Sequence, residues 1–335
     1  MLRVFKYLVV VGALGLLTNS LAQTASFSQF YSNPINSNPA FTGSDKYAFI
    51  RLSTINRLQW SQLAAPYYTS LVSVDAYLRK INGGIGFTIL YDNQGGGALR
   101  ATEYGLSYAH HHRISRDVIV SLGAQASYYQ LLLDPSVLVF EDQLDARFGI
   151  TRNTTFESFS NTTLSKFNFS SGFLIQAKKW FLGSSVLGLG NRDQNFLQGE
   201  NENGGLLPPL FSVQTGLFLP VNRYLKDKTI LSPNVQWRRQ GNFQQLSIGF
   251  YYSTKEYVLG TWYRSDEAIV LLAGVKTEYF KIGYSYDLGI GRFGFVAGGS
   301  HEISLGYQFD HPPHRRKPSR NYKRPVCPKF YKELL

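Results

Sequence analysis

The fold is decided by residues 280–288, which read Phe280-Lys281-Ile282-Gly283-Tyr284-Ser285-Tyr286-Asp287-Leu288. Every second residue is apolar, and the residues between are small, polar or charged. Side chains of a β-strand alternate between two faces, so this strand has one apolar and one polar face. We predict that Tyr284, Tyr286, Leu305 and Tyr307 point outward to lipid, and that Ser285, Asp287, Gly306 and Gln308 point inward to a wet lumen.

The same alternation recurs along the chain and predicts about fourteen strands. They lie near residues 46–56, 68–78, 83–92, 99–110, 117–131, 168–179, 181–189, 209–221, 229–239, 243–254, 256–264, 268–277, 279–290 and 301–310. An even number of strands is typical of bacterial single-chain barrels. The predicted fold is therefore all-β, a transmembrane antiparallel β-barrel over residues 46–310.

The composition agrees with this fold. Charged residues make up 17% of the 335-residue chain, against roughly 25% in average soluble proteins, while aromatic residues reach 15%. Low charge with many Tyr, Phe and Gly residues fits strands that meet a membrane interface. Composition alone also allows a soluble β-sandwich, so the prediction depends on the alternation.

Residues 1–22 have the pattern of a secretory signal peptide. Two basic residues precede a short apolar run, and Ser20-Leu21-Ala22 places small residues before a cleavage that would leave Gln23 first. No other apolar run approaches the roughly twenty residues that a transmembrane helix needs. An exported membrane chain without such helices must be a closed barrel, which indicates a bacterial outer membrane.

The connections between the predicted strands alternate between short and long. The long ones cover residues 132–167, 190–208 and 291–300, and in outer-membrane barrels the long loops lie outside the cell. Because the number of strands is even, both chain termini lie on the side opposite the long loops, which is the periplasm.

Residues 311–335 form a basic, proline-rich tail after the last strand. They contain eight Lys or Arg and one Glu, so they hold +7 of the chain's net charge of +12. The body of the chain is nearly neutral, which argues against nucleic acid as a partner. We predict a periplasmic tail that binds a partner protein through Arg315, Arg316, Arg320, Lys323, Arg324, Cys327 and Phe330.

Residues 23–45 form an extended N-terminal arm with two Asn-Pro steps. We expect this periplasmic arm to pack at the mouth of the barrel or inside it, with Phe30, Tyr31 and Phe41 as anchors. Within it, Asn38, Pro39, Phe41 and Gly43 are also predicted to bind a partner.

Patterns that suggest other chemistry are weak. The run His110–His112 cannot converge on one metal ion, because adjacent strand residues point to opposite faces. Residues 289–294 match a dinucleotide-binding motif but precede a strand pattern instead of a helix, which indicates an outer loop. Glu141, Asp142 and Asp145 are expected to be a solvated face, with a weak calcium site as the alternative. The chain has a single cysteine and no catalytic constellation, so we predict no metal, no cofactor and no enzyme activity.

The arm and tail, taken with the barrel, resemble the PorP/SprF family of the Bacteroidota outer membrane. The residues that carry this resemblance are Gln29-Phe30-Tyr31, Asn33-Pro34, Asn38-Pro39-Ala40-Phe41-Thr42-Gly43, Arg57, Gln59-Trp60, Tyr68-Thr69, Gly172-Phe173-Leu174, Phe181-Leu182-Gly183-Ser184-Ser185-Val186 and Cys327-Pro328. The resemblance implies a component of type IX secretion or gliding motility that meets outer-membrane lipid. It further implies a secreted adhesin-like cargo and periplasmic peptidoglycan-associated or secretion-system partners. The alternative from a different class is a general porin or a hydrophobic-solute channel.

Overall fold

The structure is a computed structural model that describes residues 24–45, 48–145, 147–150, 162–190, 192–193, 196, 206–221, 229–265, 267–277, 279–290 and 292–310. Fourteen long strands in these ranges form one antiparallel sheet. They are β1 (Ala48–Gln59), β2 (Tyr67–Leu78), β3 (Gly83–Gln94), β4 (Leu99–Arg113), β5 (Val118–Leu133), β6 (Thr163–Ala177), β7 (Trp180–Leu187), β8 (Leu210–Leu217), β9 (Ile230–Gln240), β10 (Phe243–Ser253), β11 (Tyr257–Arg264), β12 (Ala268–Lys276), β13 (Phe280–Gly289) and β14 (Ser300–Asp310).

The sheet closes into a barrel. Each strand pairs with its neighbours in sequence, and β14 pairs back onto β1 with Arg57 opposite Glu302. The predicted β-barrel and its strand number are confirmed. Closure leaves no open sheet edge, as a structure surrounded by lipid requires.

The two faces of the wall have the predicted character. Leu305 is 46% exposed on the outer face, whereas Ser285 on the inner face is completely buried. Tyr284, Tyr286 and Tyr307 also face outward, and Asp287 and Gln308 are buried inward. The alternation read from the sequence therefore gives the correct orientation of these strands.

We call the end of the barrel where β1 begins the proximal end, and the opposite end the distal end. The strand ends joined by the long connections 134–162, 188–209 and 290–299 all lie at the distal end. Short turns join most strands proximally, although the proximal ends of β8 and β9 are separated by a longer connection, residues 218–229. Since long loops mark the extracellular side, the proximal end is periplasmic.

The prediction that residues 289–294 precede a strand pattern instead of a helix is wrong. A short helix, Arg292–Ala297, follows β13, and β14 begins only at Ser300. In the described ranges, no helix is long and apolar enough to cross a membrane. The predicted signal peptide (1–22) and tail (311–335) lie outside the described residues.

Candidate functional site: a lumen filled by the N-terminal arm

The arm, residues 24–45, runs through the lumen from one end to the other. At the distal end the backbone N–H of Thr24 donates to Oε1 of Gln240, the last residue of β9, over 3.0 Å. At the proximal end the N–H of Gly43 donates to Oδ2 of Asp75 over 2.7 Å. Of the two placements expected for the arm, the structure has the second, inside the barrel instead of at its periplasmic mouth. The first described residue, Thr24, lies at the distal end and not on the periplasmic side, where the arm was expected.

In the distal half of the lumen, the arm residues Ser28 and Gln29 bind a cluster of buried charged side chains of the wall. We call this whole group of residues the clasp. It consists of Arg57 (β1), Arg264 (β11), Asp287 (β13) and Glu302 (β14), together with Ser28 and Gln29 of the arm. The carboxylate of Glu302 accepts the backbone N–H of Ser28 over 2.8 Å and that of Gln29 over 2.7 Å, one on each oxygen. A single side chain thus satisfies two consecutive backbone donors, which would otherwise be buried without partners.

The charges of the clasp balance each other. The Arg57 guanidinium lies 2.8 Å from the Asp287 carboxylate and 3.2 Å from that of Glu302. The Ser28 hydroxyl donates to Asp287 over 2.6 Å and accepts from Arg57 and Arg264 over 2.7 Å each. Buried charges are costly unless they are paired and hydrogen-bonded. The Ser28 hydroxyl of the arm therefore supplies hydrogen bonds that the charged wall residues need.

Next to the clasp, two aromatic rings of the arm pack against the wall. The Phe30 ring meets the Trp262 ring edge-on with centroids 5.0 Å apart, and the Tyr31 ring meets that of Tyr251 at 4.5 Å. Such edge-to-face pairs contribute roughly 0.5–1.5 kcal/mol beyond the area they bury. Phe30 and Tyr31 are anchors of the arm, as expected.

In the middle of the lumen the arm turns through a short helix, α1 (Pro34–Ser37), and a 3₁₀ turn, Pro39–Phe41. Asn38 joins the two elements: its Oδ1 accepts the N–H of Ala40 over 2.9 Å. Its Nδ2 donates to the backbone oxygens of Phe173 and Ser184, on β6 and β7, over 3.1 and 3.2 Å. The second Asn-Pro step, Asn38-Pro39, therefore both closes a turn of the arm and binds the barrel wall.

Glycines in the wall make room for this turn. A Cβ on Gly123 would collide with the backbone of Pro39 and Ala40, and a Cβ on Gly172 would collide with the Asn38 side chain. Beside them, Ala40 and Phe41 are buried in an apolar cluster with Leu174, Phe181, Phe218 and Ile230. The arm backbone can reach the wall only because these wall positions lack side chains.

At the proximal end the arm is fixed by polar contacts. His111 of β4 lies between Ser121 and the arm, with Nδ1 2.6 Å from Ser121 Oγ and Nε2 2.8 Å from the carbonyl oxygen of Thr42. Gly43 has φ +62° and lies against Gly84, so a side chain at either position would be obstructed. Asp75, which holds the Gly43 N–H, is itself paired with Arg51 over 2.8 Å.

Two of the spaces left between arm and wall are small. One cavity of about 50 Å³ lies beside Tyr31 and Lys281, and one of about 60 Å³ lies beside Asn33 and Arg238. Cavities of this size hold a few water molecules. The lumen of the described barrel is thus occupied mainly by its own N-terminal segment.

The structure places the predicted partner-binding residues in two groups. Asn38, Pro39, Phe41 and Gly43 are buried in the lumen, where their contacts are with the barrel wall. Arg315, Arg316, Arg320, Lys323, Arg324, Cys327 and Phe330 lie outside the described residues. Partner binding by either group stays a prediction.

The remaining sequence features have structural roles where they are described. His111 points inward to the arm while His110 and His112 point outward, so the three do not converge. Asp145 accepts the backbone N–H groups of Arg147 and Phe148, which lowers the pKa of its carboxyl. Within the described residues, no group of three or more His, Cys, Asp or Glu side chains is placed to hold a metal ion.

Sequence reasoning missed the clasp as a site. Asp287 was placed on the inner face, but Glu302 and Arg264 received no role. The available signal was a charged residue at an inward position of a membrane strand, since such a charge must find a partner.

The fold and lumen define the class of protein: an outer-membrane β-barrel with an internal plug made from its own N-terminal segment. The family described as "Type IX secretion system membrane protein PorP/SprF" matches residues 19–307, and the chain belongs to this family. It is therefore a membrane protein of a type IX secretion system family and lies in the outer membrane.

The chain matches none of the curated protein sequences with which it was compared. Among solved structures, it is similar to a TodX deletion mutant described as a monoaromatic hydrocarbon channel, with TM-score 0.48, 11% identity, and 86% of this chain and 95% of that chain covered. It is also similar to a FadL homologue from Pseudomonas aeruginosa, with TM-score 0.45, 7% identity, and 87% and 100% covered. The KdgM porin gives TM-score 0.39, 6% identity, and 77% and 99% covered. These distant likenesses carry no argument about function.

Proposed function

We propose that this chain is a non-enzymatic component of a type IX secretion or gliding apparatus. In this role the barrel is a fixed outer-membrane scaffold that binds a periplasmic, peptidoglycan-associated or secretion-system protein. It thereby supports export or surface attachment of a secreted adhesin-like protein. Membership of the PorP/SprF family supports the setting.

The occupied lumen is the observation that carries the scaffold role. The arm is held at both ends and in the middle by buried hydrogen bonds to the wall. A solute channel needs a continuous path, whereas the cavities beside the arm measure about 50 and 60 Å³. An open porin or hydrophobic-solute channel is therefore the less favoured function.

The tail is the part of the chain best suited to hold the partner. It follows β14, which ends at the proximal, periplasmic end, and it carries eight basic side chains with Phe330 and Tyr331 near its end. Charge attraction alone is screened within about 10 Å at ordinary salt. Aromatic residues among Arg and Lys supply the contacts that usually dominate a protein interface.

Deleting residues 315–335 tests the proposal in cells. The barrel is expected to stay in the outer membrane and keep its heat-dependent mobility in SDS gels. Co-purification of periplasmic proteins from detergent-solubilised membranes and secretion of type IX cargo should both be lost. A matched variant with Phe330→Ser and Tyr331→Ser keeps the charge of the tail and should lose most of the partner capture.

Two outcomes would contradict the proposal. The first is normal partner capture and secretion by the truncated protein, which would make the tail a solvated end. The second is a steady open conductance of the wild-type barrel in planar bilayers while its arm remains protected from protease, which would favour the channel.

A further inference from the structure

The membrane-facing side of the barrel carries a groove across β5 to β9. The outer surface of a cylinder is convex, so a groove on it requires an indentation of the wall. This one has a volume of about 880 Å³. We call it the lipid-face groove and define it by Ser171, Phe173, Ser184, Phe211, Trp237 and Arg239.

The indentation lies where the wall has small side chains on both faces. Inside, Gly123 admits the backbone of the arm and Gly172 admits the Asn38 side chain. Outside, Ser171 and Ser184 of β6 and β7 are exposed, at mid-length of their strands, where other membrane-facing positions carry larger residues such as Leu106 and Leu246. The glycines and serines together thin the wall and leave space on the lipid side.

The groove changes character along its length. Its middle is lined by Ser171 and Phe173, and its distal part by Phe211 and Trp237. Arg239 stands at the distal rim, next to the last residue of β9, and is exposed on the outer face. Its Nε lies 3.4 Å from the Gly241 oxygen, and among the described residues it takes part in no ion pair.

This arrangement fits an amphiphile with an anionic head. The groove opens to the hydrocarbon layer, so its apolar walls match an acyl chain. Trp237 and Arg239 lie in the last four residues of β9, at the distal end. Aromatic and basic residues at this end of a membrane strand are suited to the headgroups of the outer leaflet. A guanidinium binds phosphate through paired, charge-assisted hydrogen bonds. We propose that the lipid-face groove binds one membrane phospholipid whose head carries a net negative charge, with its acyl chain beside Ser184 and its phosphate on Arg239.

Native mass spectrometry of the detergent-purified full chain tests this proposal. The probes are phosphatidylglycerol and phosphatidylcholine with identical acyl chains, so that only the net charge of the head differs. The wild type should retain one phosphatidylglycerol in preference to phosphatidylcholine. Arg239→Gln should lower this preference by roughly tenfold, the loss of one charge-assisted contact.

Filling the groove separates binding at this site from general lipid coating. Ser184→Trp should remove the retained lipid of either kind, whereas Ala273→Trp, at an exposed outward position on β12, should not. Both variants should keep heat-dependent mobility in SDS gels, which shows that the barrel is folded. Equal retention of the two lipids by the wild type, or unchanged retention in Ser184→Trp, would overturn the proposal. Loss of a dimer or of a co-purified membrane protein in Ser184→Trp, without loss of lipid, would assign the groove to a protein and also overturn it.

Discussion

Replacing Glu302 with Gln is expected to weaken the docking of the arm in the lumen while leaving the barrel folded. Each carboxylate oxygen of Glu302 accepts one arm N–H, at 2.8 and 2.7 Å, and the side chain has no exposed surface. Gln has nearly the same shape but offers one acceptor oxygen and an NH₂ group. One of the two N–H groups of Ser28 and Gln29 would then face a donor.

The cost can be estimated from these contacts. Removing one partner of a buried, hydrogen-bonded charge pair costs roughly 3–5 kcal/mol, and a buried donor without a partner costs roughly 1–3 kcal/mol by itself. These two contributions overlap, and Arg57 keeps its 2.8 Å contact with Asp287. We therefore assign about 3 kcal/mol to arm docking, which is more than a hundredfold in the docking equilibrium.

Amide hydrogen exchange of the purified barrel in detergent measures this effect. The N–H groups of Ser28 and Gln29 exchange only when the arm opens locally, so their exchange should accelerate by about a hundredfold in Glu302→Gln. The control is Asp92→Asn, which also alters a buried carboxylate but one whose partners, Thr69 and Gln94, both belong to the wall. If exchange of Ser28 and Gln29 is as slow in Glu302→Gln as in the wild type, the clasp does not hold the arm.

Two further substitutions test the wall. Gly123→Ala should displace the arm and allow protease to cut within residues 30–43, because its Cβ meets the backbone of Pro39 and Ala40. Gly105→Ala, at an inward glycine of β4 whose Cβ meets only wall side chains, those of Gln125 and Thr88, should leave the arm protected. Cleavage at the same rate in both variants would count against the glycine contact. On the lipid face, Leu305→Arg should lower the free energy of unfolding by about 2–4 kcal/mol. Phe309→Arg, near the proximal end, should lower it by only about 0–1 kcal/mol. Equal losses in a denaturant titration would show that β14 does not cross the membrane centre at Leu305.

The barrel could be predicted from the sequence because the alternation of residues within each strand shows which side chains face lipid and which face the lumen. In β13, the alternation of Tyr284, Ser285, Tyr286 and Asp287 needs no information from distant residues, since lipid and lumen impose opposite polarities on the two faces. The alternation of short and long connections likewise predicted which end of the barrel is extracellular, without information on contacts between distant residues.

The plug could be predicted only in outline. The Asn-Pro steps and the aromatic residues of the arm indicated that it docks, but its wall partners are far away in the sequence. Ser28 meets Glu302 across 274 positions, and Asn38 meets Ser184 across 146. Glycines such as Gly123 and Gly172 look like ordinary polar-face residues until a backbone is placed against them. Such positions can be recognised only when the arm and the wall are seen together.

The position of the clasp predicts that docking of the arm assists closure of the barrel. Arg57 and Glu302 are direct partners across the β1–β14 seam, which joins strands at the two ends of the barrel sequence. Closing such a long loop is entropically costly and slow. The arm immediately precedes β1 and binds Glu302 of β14, so it adds contacts that form only when the two strands meet.

Deleting residues 24–44 should therefore slow the appearance of the heat-resistant barrel during refolding from urea into detergent micelles. The deletion also leaves the buried charges of Arg57, Asp287 and Glu302 without the Ser28 hydroxyl and backbone donors that now compensate them. Deleting residues 315–335 removes a segment of equal length from the other end of the chain and serves as the control, which should refold at the wild-type rate. If the two truncated proteins close at the same rate, the arm enters a barrel that has already formed, and the clasp stabilises the plug without helping to join the seam.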